Sequence, residues 1–431
     1  MTSNYNYHGK LISCAEAVSK IKSGDRIGIA MAASEPSGLL TELAKQKDRL
    51  TDVNTWVCLP MRSYEYAVQP EMENHFFVEN WFYGVYDRQV HSQGRMSYIP
   101  NNLHRAAADK LHATGGKLNV YWGTATPPDE RGFMSLSLSL VFEKELIQAA
   151  DMIVLEINEN LPWTLGDTQI HISEVDYVVE NHTPLFELPA ATPSETEQKI
   201  GEYIAELIDD GATLQLGIGG IPNAITHFLK NHKDLGIHTE MFNDGMVDLY
   251  EAGAVTNRKK TIYKGKMIGA FALGTKKLYD FINDNIGVEF LQGKITNNPY
   301  VIGQNYKMIS VNTALQVDVF GQVCSQSIGH KHFSGTGGQL DTHRGAQLST
   351  GGRGIIALRS TVKNGDISTI VPTLSPGAEV TVPSQCVDTI VTEYGIAELR
   401  GRNLNERAEA LINIAHPAMR ESIAAEVRAS G

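Results

Sequence analysis

The chain has 431 residues, 42% of them hydrophobic and 20% charged, with a net charge of −12. That length and composition fit two to three domains of about 150 to 200 residues with sizeable cores and exclude a largely disordered chain. The acidic balance argues against a nucleic-acid surface, which needs clustered Lys and Arg, and no apolar run reaches the ~18 residues of a membrane span. The N-terminal MTSNYNYHGKLISCAEAVSK has no apolar core of the kind found in a secretion signal. Cys14, Cys58, Cys324 and Cys386 lie far apart with no CxxC. They fit small buried hydrophobes in a reducing cytoplasm.

In chain order, short apolar runs alternate with amphipathic segments. DRIGIAMA (25–32) predicts a strand and GLLTELAKQ (38–46) a helix; LNVYWG (118–123) predicts a second strand. SLSLSLVF (135–142) alternates like a strand with one polar face. FEKELIQAA (142–150) predicts a helix and DMIVLEIN (151–158) a strand. FELPAATPSETEQ (186–198) holds two prolines and small polar residues, as a link between halves does. Ser194 with Glu197 forms a capping-box signature for a helix over 194–211. ATLQLGIG (212–219) and KMIGAFALG (266–274) predict strands, and NAITHFLKNH (223–232) a helix between them. Strands rich in Val, Ile and Leu between helices point to parallel sheets covered on both faces.

After the link the pattern restarts. GDRIGIAMAASEPSGLLTEL (24–43) parallels GATLQLGIGGIPNAITHFL (211–229), and LTDVNTWVCLPM (50–61) lies against LGIHTEMFNDGM (235–246) without a gap. The expectation is two similar α/β domains, with Thr55 standing where the second half carries Glu240; independent strand–loop–helix units would give the same pattern.

GIGGIP (217–222) ends a strand and opens a helix. Such a loop lets backbone N–H groups reach an anion at the helix N-terminus; a tight structural turn is the alternative. Pro222 breaks a GxGxxG dinucleotide fingerprint, and no GxxxxGK[ST] is present. FSGTGGQLD (333–341) is a second glycine cluster. His330 and His332 lack a third ligand at metal spacing, and no GxSxG elbow occurs. Glu240, in IHTEMFNDG (237–245), falls at the end of a strand one βα unit beyond the glycine loop. Ligand sites gather there in open α/β sheets, although a lone glutamate at such a place is often a surface residue.

These residues resemble the acetyl-CoA hydrolase/transferase family of CoA-transferases, closest to its butyryl-CoA or 4-hydroxybutyrate branch. The similarity is carried by YWGTATPPDERGFMSLSLS (121–139), QLGIGGIPNAI (215–225), HTEMFNDGM (238–246), SGTGGQLD (334–341) and TEYGIAELRGRNLNERAEALINIAHP (392–417). The resemblance implies an α/β fold of two tandem, similar open domains with mainly parallel sheets, over 1–190 and 191–431. It implies Glu240 as nucleophile, with backbone oxyanion donors at Ile218 and Gly338. The two glycine loops, through Gln215, Gly217, Gly219, Gly220, Ile221, Gly335 and Gly337, would contact coenzyme A. Asn297 and Lys363 look similar to polar CoA-contacting positions. Arg131, in PPDERG, is either a residue that shapes or neutralises the acid pocket or a solvated arginine. The reaction implied is CoA transfer from a short-chain acyl-CoA to acetate, with hydrolysis by the same site as the alternative. CoA is then a substrate, no cofactor is permanently bound, no metal takes part, and a homodimer or higher homo-oligomer is expected.

Overall fold

Seven apolar runs in the first part of the chain become the strands of one sheet. The computed structural model describes Tyr7 and residues 9–429. It contains β1 (Arg26–Ile29), β2 (Val53–Val57), β3 (Phe76–Asn80), β4 (Met96–Tyr98), β5 (Leu118–Ala125), β6 (Ala150–Ile157) and β7 (Tyr177–Glu180). Their order is β4-β3-β2-β1-β5-β6-β7, and every neighbouring pair is parallel. Such strands have both faces covered, so they must be apolar on both. On one face Ile27, Ile29, Val120, Trp122, Val154 and Val179 form one buried cluster, and on the other Tyr121, Leu155 and Val178 are buried. Helix α1 (Ser37–Lys45) follows β1 and buries Leu39, Leu40 and Leu43 at helical spacing.

The second sheet comprises β8 (Thr213–Leu216), β9 (Gly236–Ile237), β10 (Met308–Thr313), β11 (Arg353–Ala357), β12 (Thr389–Thr392) and β13 (Gly395–Glu398). Its order is β9-β8-β10-β11-β12-β13. All pairs are parallel except the last, where β13 turns back on β12. The helices that matter for the site are α2 (Glu195–Glu206), α3 (Gly220–Phe228), α4 (Asp244–Glu251) and α5 (Gln339–Leu348). Ser194 caps α2 through the reciprocal bonds that its sequence predicts, Glu197 N–H to Ser194 Oγ at 3.3 Å and Ser194 N–H to Glu197 Oε2 at 2.8 Å.

The chain divides into two compact units, and the division is not a single cut. The first unit takes the residues up to Leu188 together with Gly269–Ile295; the second takes Pro189–Ile268 and the residues from Thr296 on. A segment placed by sequence in 191–431 thus folds with the N-terminal unit.

Three local expectations change. KMIGAFALG is two short strands, Met267–Gly269 and Phe271–Ala272. SLSLSLVF is not a strand with a polar face: regular pairing covers only Phe133–Ser135, and Ser137 takes a positive φ of 63°. Ser135, Ser137 and Ser139 are all buried, with their hydroxyls bonded to Thr164, Pro162 and Glu143. Alternation there reflected buried hydroxyls with internal partners, which a binary pattern cannot separate from solvated ones. Finally, Ile27 lies opposite Thr55 in the first sheet, and its sequence counterpart Leu214 lies opposite Ile237 in the second. Thr55 therefore matches Ile237, and the position matching Glu240 is Cys58.

Candidate active site

Glu240 leaves the second sheet at its carboxyl edge. Beyond β9 the chain stays extended for two residues, because His238 N–H donates to Leu214 O at 3.0 Å and Thr239 N–H to Ile268 O at 2.9 Å. This brings the Glu240 side chain against two donors. Asn297 Nδ2 donates to Glu240 Oε2 at 2.7 Å, and the Gly338 backbone faces the same carboxylate and favours its anion. Burial nevertheless dominates: it pushes the Glu240 carboxyl up to about 7, the two donors work against it, and the Asp341 carboxylate adds to the rise. Glu240 is thus a half-buried carboxylate with a raised pKa, rather than a freely solvated surface acid.

Gly338 is the N-cap of α5, so Glu240 faces the positive end of that helix. With φ at −90° the glycine is not needed for its backbone angle. It is needed for space: a Cβ at this position would fall on the Glu240 carboxylate and the Asn297 amide. Below α5 a buried polar layer fixes the helix to the sheet. Ser310 Oγ lies 2.8 Å from Gln215 Oε1 and 2.9 Å from Thr342 Oγ1. Gln215 therefore supports α5 from within, through Ser310.

At the same carboxyl edge of the second sheet lies a cleft of about 330 Å³, which Glu240 itself does not line. Ile218, Gly219, Gly220, Ile221 and Pro222 line it from the end of β8, Thr313–Leu315 from the end of β10, and Ala357–Arg359 from the end of β11. Since β8 is flanked by β9 and β10, the cleft opens where the strand order reverses, the usual ligand position in open α/β sheets. Gly219 has φ 113° and ψ −175°, a conformation essentially confined to glycine. Ile218 is 42% exposed although apolar. Gly220 sits against the Glu197 carboxylate, which Arg359 holds at 2.7 Å.

The structure brings Glu240, Asn297 and Gly338 into direct contact. Gly219, Gly220, Ile218 and Ile221 form the cleft wall, while Asn243 Nδ2 donates to the Gly217 carbonyl at 2.9 Å and steadies the loop. Gly335 and Gly337 belong to the turn entering α5, where Gly337 takes φ 51°. Lys363 is exposed on the hairpin next to Val362, which reaches the cleft rim. Arg131 is exposed in the other unit. Sequence reasoning missed Asp341, Arg359, Glu197 and His238. Asp341 and His238 stood inside quoted motifs, and Glu197 had been read only as a cap.

Two family models match the chain: acetyl-CoA hydrolase/transferase N-terminal domain over residues 1–187 and acetyl-CoA hydrolase/transferase C-terminal domain over residues 274–427. 4-Hydroxybutyrate coenzyme A transferase of Clostridium kluyveri is 44% identical over 98% of this chain and 98% of its own. Succinyl-CoA:cyclohexane-1-carboxylate CoA transferase of Geobacter metallireducens is 40% identical over 98% of this chain and 96% of its own. The crystal structure of RipA from Yersinia pestis superposes with a TM-score of 0.91 at 34% identity, covering 98% of both chains. With both halves matched and relatives aligned along nearly the whole length, this chain belongs to the acetyl-CoA hydrolase/transferase family.

Proposed function

We propose that this CoA-transferase moves CoA between a short-chain acyl-CoA, 4-hydroxybutyryl-CoA or butyryl-CoA, and acetate through a thioester on Glu240. The observation that carries the reading is the Glu240 carboxylate itself. It is half-buried, held by Asn297, and set against a helix N-terminus at a glycine with no room for a side chain.

The Glu240 carboxylate attacks the thioester carbonyl, and collapse of the tetrahedral adduct expels CoA thiolate and leaves a mixed anhydride. The thiolate then attacks the glutamyl carbonyl, releasing the first acid as its carboxylate and forming glutamyl-CoA thioester. Acetate attacks that thioester, and the same two steps run in reverse to give acetyl-CoA and free Glu240. Each addition makes an oxyanion, for which the backbone N–H groups of Gly338 and Ile218 serve as fixed donors. In the resting enzyme the Gly338 backbone already faces Glu240, so a donor stands close by when charge moves to the adduct. The cleft lined by Gly219, Gly220 and Ile221, with Lys363 next in sequence to its rim residue Val362, accommodates CoA. The relatives at 44% and 40% identity carry different acids in their names. One methylene is worth only about 1 to 3 kcal/mol in a pocket, so the acyl preference rests on few contacts. We assign the enzyme to the cytoplasm as a homodimer or higher homo-oligomer; its mass in solution tests the assembly.

Mixing butyryl-CoA with the enzyme in the presence and absence of acetate tests the reaction. Acetyl-CoA formed in amount equal to butyryl-CoA lost, only when acetate is present, supports transfer. Steady release of free thiol without acetate contradicts it and makes the protein a hydrolase.

A further inference from the structure

Behind Glu240 lies a buried imidazole that the proposed mechanism does not use. His238 is 1% exposed and stands two residues before Glu240. Its Nε2 lies 2.9 Å from the Thr296 carbonyl oxygen, and its Nδ1 lies 3.2 Å from Asn305 Nδ2. A carbonyl can only accept, so Nε2 carries the proton, and Nδ1 of the neutral ring accepts from the Asn305 amide. Burial, with the Lys260 ammonium nearby, pushes the His238 pKa down to about 3, so one tautomer persists across the working pH range.

Thr296 is the residue before Asn297, whose amide holds Glu240. The contacts therefore close a ring: Glu240, Thr239 and His238 along one segment, a hydrogen bond to Thr296, then Asn297 and a hydrogen bond back to Glu240. We infer that His238 is a positioning residue for acyl transfer: its imidazole ties the peptide carrying Asn297 to the segment carrying Glu240, and so aims the carboxylate. The inference rests on Glu240 being the nucleophile. Position matters because a misplacement of about 1 Å can cost on the order of 10²-fold in rate. The charged groups around the ring are Asp341 beside Glu240 and Lys260 beside His238.

The test compares wild type, His238→Phe, His238→Gln and His238→Asn in butyryl-CoA:acetate transfer. Phenylalanine fills the space without a donor, glutamine reaches Thr296 with one, and asparagine is too short. His238→Phe should lower kcat on the order of 10²-fold with little change in KM for butyryl-CoA. Its acid limb should move to higher pH, because Glu240 loses the Asn297 bond that favours its anion. His238→Gln should recover most of kcat and the original limb. Equal rates and limbs in His238→Phe and wild type overturn the inference, as does equal loss in the Gln and Phe variants. If His238→Phe does not fold, the Gln and Asn variants decide: Gln faster than Asn supports positioning, and equal rates overturn it. Borohydride reduction of wild type after exposure to butyryl-CoA separates the two readings. A label on Glu240 with insensitive His238 variants removes this inference alone, and no label on Glu240 removes the nucleophile and the inference together.

Discussion

At the scale of the residue, the account turns on one carboxylate whose ionisation costs more than usual. Because burial raises Glu240 to about 7, kcat/KM for acyl-CoA should fall as pH drops below about 7, where the free enzyme's nucleophile becomes protonated. Asp341→Asn removes the like charge that adds to this rise, so the limb should move to lower pH in a pH–rate profile; an unmoved limb would show that Asp341 is screened. Gly338→Ala tests space instead. The new Cβ would displace Glu240 and Asn297, and turnover should drop on the order of 10²-fold, comparable to loss of an oxyanion donor, while circular dichroism stays native. Glu240 and Gly338 were legible in the sequence through their motifs. The partnership of Asn297 with Glu240 was not, because 57 residues separate them and no periodicity links them.

At the scale of the element, capping, glycine loops and parallel strands were the readable features. Ser194 and Glu197 announced α2, and GIGGIP announced the turn into α3. What local sequence lacked was register. Thr55 was aligned with Glu240 by a gapless comparison, yet strand pairing places Cys58 there, because the loop from α3 to β9 does not match its counterpart residue for residue. The buried serines of 135–139 misled for a related reason: their partners lie 25 to 29 residues away or in the next turn. Gly219→Ala probes the loop directly. A residue with a side chain at φ 113° should cost about 1 to 3 kcal/mol, seen as a lowered melting temperature together with a raised KM for acyl-CoA. Retention of both values would mean that the loop relaxes freely.

At the scale of the whole molecule, the two similar sheets followed from the repeated pattern, but the return of Gly269–Ile295 to the first unit did not. Chain order carries no signal for such a crossing. The catalytic arrangement should also tax global stability. Glu240 has a folded pKa of about 7 against an ordinary 4.5, so the native state binds more protons between those values. The stability associated with neutral Glu240 is present below about 4.5 and lost as pH rises through about 7, by at most about 3 kcal/mol. Glu240→Gln keeps the Asn297 bond without the charge. It should melt higher than wild type at pH 8, with the difference closing towards pH 4.5.

The most direct measurement is chemical trapping. The enzyme is incubated with butyryl-CoA alone, treated with borohydride, digested and analysed by peptide mass. The account predicts that the peptide spanning His238–Met246 carries Glu240 with its carboxyl reduced to an alcohol, and that Glu240→Ala neither labels nor transfers CoA. An unmodified Glu240 in enzyme that turns over, or a label on another residue, would contradict it.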